Sequence, residues 1–212
     1  MGKAISNRDV AAARFETVPF EGEWLAAIGR PELRGSWLVF GQSGSGKTTF
    51  ALQLARYLSR FARVAYNTLE QGLSLSFQSA WIRAGMEEAG SAIVVLDKEP
   101  LPQLRQRLAK RRSPQVVIID SLTALPGFTR KDYLSLVGGF PGKLFVFLAH
   151  ERKGLPDPAI AETVRRLSEV KIYVEGFRAH VSSRYACPER GEGVSDYIIW
   201  RQGADEYHLQ NI

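Results

Sequence analysis

The chain alternates short apolar runs with stretches whose apolar residues recur every three or four positions. Runs at 36–40 (SWLVF), 63–68, 92–96, 116–120 (VVIID) and 144–149 (LFVFLA) have the length of buried strands. They hardly alternate apolar with polar, as expected of parallel strands covered by helices on both faces. Between them, 47–60 carries apolar residues at 50, 51, 54, 55 and 58, a one-sided helical stripe. Residues 75–84, 101–111 and 159–168 read as further helices. This order predicts an α/β fold with a doubly wound, mostly parallel sheet. After residue 168 the segments 170–174, 178–183, 196–201 and 206–209 read as short strands joined by hairpins, an antiparallel C-terminal edge. Residues 1–20 read as an N-terminal arm, with a short helix within 7–15, and residues 21–212 as the core.

A length of 212 residues fits one domain. With 45% apolar and 24% charged residues, collagen, coiled coil and wholesale disorder are excluded. The net charge of +6 is compatible with a polyanionic partner. A single cysteine, Cys187, excludes an intramolecular disulfide and a multi-cysteine zinc site, and suits a reducing interior. No apolar run approaches the length of a membrane span, and the first fifteen residues lack the apolar stretch of a signal peptide. The expectation is a cytoplasmic protein with no membrane partner.

The candidate chemistry begins at the first apolar run. It is followed by Gly41-Gln42-Ser43-Gly44-Ser45-Gly46-Lys47-Thr48, which fits G-x-x-x-x-G-K-[ST] at every fixed position. Strand before and helix after are the context a phosphate-binding loop needs. The glycines let backbone N–H groups turn inward toward phosphate oxygens, and the helix start adds its positive dipole end. Lys47 is placed to reach the β and γ phosphates of ATP, Thr48 to ligate magnesium, and Thr49 to close the loop. Two carboxylates complete the set. Asp120 ends the run VVIID, where it faces the same crevice and can hold magnesium through a water. Glu70, read as the end of a strand from 63 to 70, is a candidate base for the attacking water. The four tryptophans read as packing residues.

A phosphate loop at 41–48, a Glu after the next strand and an Asp at the end of a later apolar run resemble the RecA-like P-loop ATPases, which include recombinases, replicative helicase motors and KaiC-like proteins. The resemblance covers about residues 20–210 and implies ATP and magnesium as cofactors and Glu70 as catalytic base. It implies a γ-phosphate sensor at His150, where a Gln is more usual. It also implies a finger residue at Arg184 that reaches into a neighbour's site, with Ser182 standing where a second, lysine finger is found. The arm is then a candidate for docking on an adjacent subunit.

The same resemblance implies that the segments 124–142 and 151–158 are loops facing single-stranded DNA. Arg130, Lys131, Arg152 and Lys153 would contact its phosphates, with Phe128, Tyr133 and Phe140 available for stacking. The basic residues at 105, 107, 111 and 112 read as a solvated helix face. The expected function is ATP hydrolysis by an oligomer, a ring or filament, acting on single-stranded DNA in recombination, annealing or replication, with a possible replication or recombination protein as partner. The alternatives are an ATP-binding regulatory or partner-loading switch with weak hydrolysis, and a small-molecule kinase.

Overall fold

A computed structural model describes residues 4–210; the first three residues of the expected arm lie outside them. The helix α1 (Asn7–Ala12) is shorter than the expected stretch, is capped by Ser6, and buries none of its residues. The short helix α2 (Gly22–Ile28) then leads into β1 (Gly35–Gly41) and the long helix α3 (Lys47–Leu58). The chain continues through β2 (Val64–Thr68), α4 (Leu75–Arg83), β3 (Ile93–Asp97), α5 (Leu101–Leu108) and β4 (Val116–Asp120). After α6 (Arg130–Gly139) come β5 (Leu144–Arg152), the short β6 (Leu155–Asp157) and α7 (Ala159–Leu167). The last elements are β7 (Val170–Glu175), β8 (Arg178–Ser183), β9 (Tyr197–Ile198) and α8 (Arg201–Gln210).

One sheet carries all the strands in the order β3-β2-β4-β5-β1-β7-β8-β9, with β6 paired to β5. Pairing is parallel from β3 through to β7, and antiparallel for β7–β8, β8–β9 and β5–β6. The expected doubly wound sheet with an antiparallel C-terminal edge is thus the observed architecture.

The period-two alternation hidden in the uniformly apolar strands sorts the core. Trp37, Val39, Val116, Ile118, Val146 and Leu148 point to one face, where they meet Phe50 and Leu54 of α3. Leu38, Phe40, Val117, Ile119, Phe145 and Phe147 point to the other, against Leu104, Leu108, Leu136 and Val164 of α5, α6 and α7. Burial on both faces is why these strands carry no polar alternation. Among the described residues no helix is long and apolar enough to cross a membrane.

Several expectations are corrected. The strand expected at 206–209 lies inside α8, where Trp200, Ala204 and Tyr207 have helical spacing and Tyr207 rests on Gly176. The strand expected at 196–201 shrinks to Tyr197–Ile198. The segment 124–142 is largely the helix α6, whose capping box joins Thr129 and Asp132. The segment 151–158 is a hairpin, Arg152 pairing with Leu155.

Candidate active site

The parallel register gathers the chemistry at one sheet edge. Gly41 at the end of β1 lies opposite His150 on β5, while Thr68 at the end of β2 lies opposite Asp120 on β4. Glu70 stands two residues past β2, outside the strand expected to end on it, and its backbone N–H donates to the Asp120 carbonyl at 3.0 Å. The crossovers therefore bring residues 41, 70, 120 and 150 together from four strands.

The phosphate loop is shaped by close approach as much as by dihedral freedom. A Cβ on Gly41 would collide with the Val174 carbonyl on β7, so only glycine fits there. Gly46 has φ of 107° and caps α3, and a side chain there would press on Phe177 and Ile199. Phe177, in the β7–β8 turn, donates its N–H to Ser45 O at 3.0 Å and so ties the loop to the sheet's antiparallel edge.

Lys47 is buried and donates from Nζ to Gln42 O at 2.6 Å. Burial lowers its pKa, while Asp120, Glu70 and Glu151 pull in the opposite direction by stabilising the cation. Asp120 is 6% exposed. Burial raises its carboxyl above the ordinary value, and nearby Glu70 adds to this, against the hydrogen bond from Tyr66. Tyr66, fully buried, donates to Asp120 Oδ2 at 2.6 Å and is itself pushed well up by burial and by that carboxylate. Thr48 Oγ1 lies 3.5 Å from the same oxygen. A hydroxyl and a buried carboxylate are hard oxygen donors, and a carboxylate raised by desolvation gains from a divalent cation, so the pair Thr48 and Asp120 fits magnesium.

Glu70 is the more exposed carboxylate. It accepts from Ser121 Oγ at 2.7 Å, and His150 Nε2 lies 3.1–3.2 Å from its two oxygens. Partial burial pushes its carboxyl up, but the Ser121 hydroxyl, His150 and Lys47 together outweigh this and hold it below its ordinary value. His150, expected to sense phosphate, thus contacts the candidate base in this structure.

These groups line a cleft of about 310 Å³ together with Ser43, Gly44, Thr49 and Arg83. A second cleft of about 540 Å³ shares Thr49, Arg83 and Phe177 with it and is closed by Ile199 and Trp200. Trp200, expected to pack in the core, is 49% exposed and meets Phe177 edge-on at 5.0 Å. Trp24 and Trp37 are core residues, as expected. Sequence reading missed Tyr66, Ser121, Arg83 and Trp200. Ser121 follows the strand-ending Asp directly, and that adjacency was the available signal; Tyr66 and Arg83 carry none.

The remaining candidates lie elsewhere. Arg130 and Lys131 are exposed on the first turn of α6, and Arg152 and Lys153 on the β5–β6 turn. Phe128 and Tyr133 are buried, and Phe140 packs near Phe145, so none of the three is free to stack on a base. Tyr133 OH instead bonds Ser36 Oγ at 2.7 Å. Arg184 follows β8, which runs antiparallel to β7. It therefore sits at the sheet edge opposite the phosphate loop, paired with Glu169 at 3.2 Å.

No protein-family model and no curated protein sequence matches the chain. Solved structures do. The ATPase domain of a helicase superposes with a TM-score of 0.52 at 15% identity, over 82% of this chain and 84% of that one. A KaiC-like protein from the hyperthermophilic archaeon Pyrococcus horikoshii gives 0.51 at 18% identity, over 71% and 78%. The flagellar accessory protein FlaH of Methanocaldococcus jannaschii gives 0.47 at 15%, over 65% and 70%. With its sheet order and a phosphate loop at the end of β1, the chain has the fold of the RecA-like P-loop ATPases.

Proposed function

We propose that the protein hydrolyses ATP in this cleft, as an oligomer, and acts on single-stranded DNA in recombination, annealing or replication. The observation that carries the reading is the convergence of Lys47, Thr48, Asp120 and Glu70 at one edge, from separate segments of the chain. The likeness to an ATPase domain supports it. The loop N–H groups and Lys47 hold the phosphates, and Glu70 orients and deprotonates the attacking water. When bound at Thr48 and Asp120, magnesium supplies charge neutralisation on the phosphate oxygens. The four exposed cations Arg130, Lys131, Arg152 and Lys153 would track the DNA backbone without stacking, which favours sequence-independent contact. Replacing all four by serine should remove DNA stimulation of phosphate release while leaving the unstimulated rate; undiminished stimulation would exclude this DNA path.

The second cleft is suited to the nucleobase. It is continuous with the phosphate cleft and offers the indole of Trp200 and the guanidinium of Arg83 as stacking surfaces. Base stacking on an aromatic is worth about 1–3 kcal/mol. Trp200→Ala should therefore weaken ATP about 5- to 150-fold by titration calorimetry and leave inorganic triphosphate binding unchanged. Equal losses for both ligands would place the base elsewhere.

Arg184 cannot serve its own phosphate loop from the opposite edge, so its role as a finger requires a head-to-tail contact with a neighbour. Arg184→Ala should then lower specific activity only at protein concentrations that support assembly, and an equal loss at all concentrations would remove it from the site. The regulatory-switch reading is favoured by one observation: a carboxyl held below its ordinary value by Ser121 and His150 is a weaker base. It predicts bound ATP with slow turnover that DNA does not accelerate.

A further inference from the structure

The turn between α5 and β4 carries Lys110, Arg111 and Arg112 in succession, all exposed. The whole stretch from 100 to 119 contains no Asp or Glu. None of the three cations makes an ion pair among the described residues. Two more cations converge on the same turn and spend their hydrogen bonds on neutral oxygens. Arg63 donates to Arg112 O at 3.0 Å, and Lys143 donates to Ser113 Oγ at 2.8 Å and Pro114 O at 2.7 Å. Ser113 Oγ in turn donates to Leu108 O at 2.7 Å. The turn is thus fixed to the starts of β2, β4 and β5, and five positive groups share one place with no carboxylate at ion-pair distance.

Like charges gathered this way repel one another, and the backbone is held so that they cannot spread. We propose that this turn binds the phosphate backbone of a nucleic-acid duplex. A duplex has the higher linear charge density, one charge per about 1.7 Å of axis, and arginine forks match phosphate oxygens in pairs. Residues 109–113 (AKRRS) contain no aromatic to stack on an unpaired base and no large apolar side chain to enter a bilayer. The turn lies at the N-terminal ends of the parallel strands, the edge opposite the phosphate loop, about one strand length or 17 Å away. It is therefore separate from the cations at the catalytic edge, and it does not depend on the ATPase reading.

The test is fluorescence anisotropy with a labelled duplex of arbitrary sequence, over a salt series. It compares wild type, the triple variant Lys110→Ser/Arg111→Ser/Arg112→Ser, and a control losing the same charge at Arg8, Arg14 and Arg190. The turn variant should bind at least tenfold more weakly at low salt, with the slope of log affinity against log salt reduced by about 2–3. The control should keep most of the affinity and slope, and melting followed by circular dichroism confirms that each variant is folded. Unchanged binding by the turn variant, equal losses in both variants, or no duplex binding by wild type overturns the proposal. So does a preference for anionic phosphatidylserine vesicles over the duplex.

Discussion

Glu70→Gln should cut ATP turnover about 10²- to 10⁴-fold, the usual contribution of a positioned general base, while ATP affinity changes little. The substitution keeps the side chain's size and its acceptance from Ser121 Oγ, which lies 2.7 Å away, and removes only the capacity to take a proton. Nucleotide binding rests on the loop and Lys47, which the change leaves in place. The pH profile offers an independent check. The Glu70 carboxyl is held below its ordinary value, so the base form is present above that depressed pKa and is lost as pH falls through it. The acidic limb of kcat should accordingly lie below the normal glutamate range. Ser121→Ala removes the strongest of the groups holding it down, so that limb should move up toward neutral pH. Rapid-quench measurement of phosphate formation in a single turnover isolates the chemical step; wild-type rates in Glu70→Gln would take Glu70 out of the mechanism.

The second large effect falls on binding. Lys47→Ala should weaken ATP by about 10²- to 10⁴-fold, because charge-assisted hydrogen bonds contribute about 1.5–3 kcal/mol each and Lys47 can make one to each of two phosphates. The electrostatic setting magnifies the loss. Lys47 is the cation that faces Asp120, Glu70 and Glu151 together, and without it three carboxylates confront an incoming polyanion with no compensating charge. Removing it also removes one of the influences lowering the Glu70 carboxyl, so any residual activity should show its acidic limb shifted upward. Titration calorimetry with a nonhydrolysable ATP analogue reads the affinity directly. Binding within a few-fold of wild type would mean that phosphates do not sit at this loop.

How much of this could be read from the chain follows from where the signal lies. The phosphate loop was legible because glycine is required by backbone collisions, as at Gly41 against Val174, and such requirements leave a fixed local spacing. Strands buried on both faces announced themselves as unbroken apolar runs, and their C-terminal ends located Asp120 and His150. Contacts between distant segments left no such trace. Tyr66 sits mid-strand among apolar neighbours, and only the fold shows that its hydroxyl meets Asp120, 54 residues away. α6 was obscured because Gly138 and Gly139 end it and because its capping box uses Asp rather than Glu or Gln. The C-terminal residues 200–210 were read as strand because the signal of Trp200, Ala204 and Tyr207 is only three residues long. The aromatics assigned to DNA stacking show the same limit: a periodic pattern says that one side of a segment is apolar, and burial decides that Phe128 and Tyr133 belong to the core.

Steady-state phosphate release by the wild-type protein tests the central claim most directly. It is measured at low salt with ATP and magnesium, with and without single-stranded DNA, over a series of protein concentrations. Hydrolysis that rises steeply with concentration and is accelerated by DNA is the predicted result. Tight ATP binding in the same samples, with no release above background under any of these conditions, would contradict it.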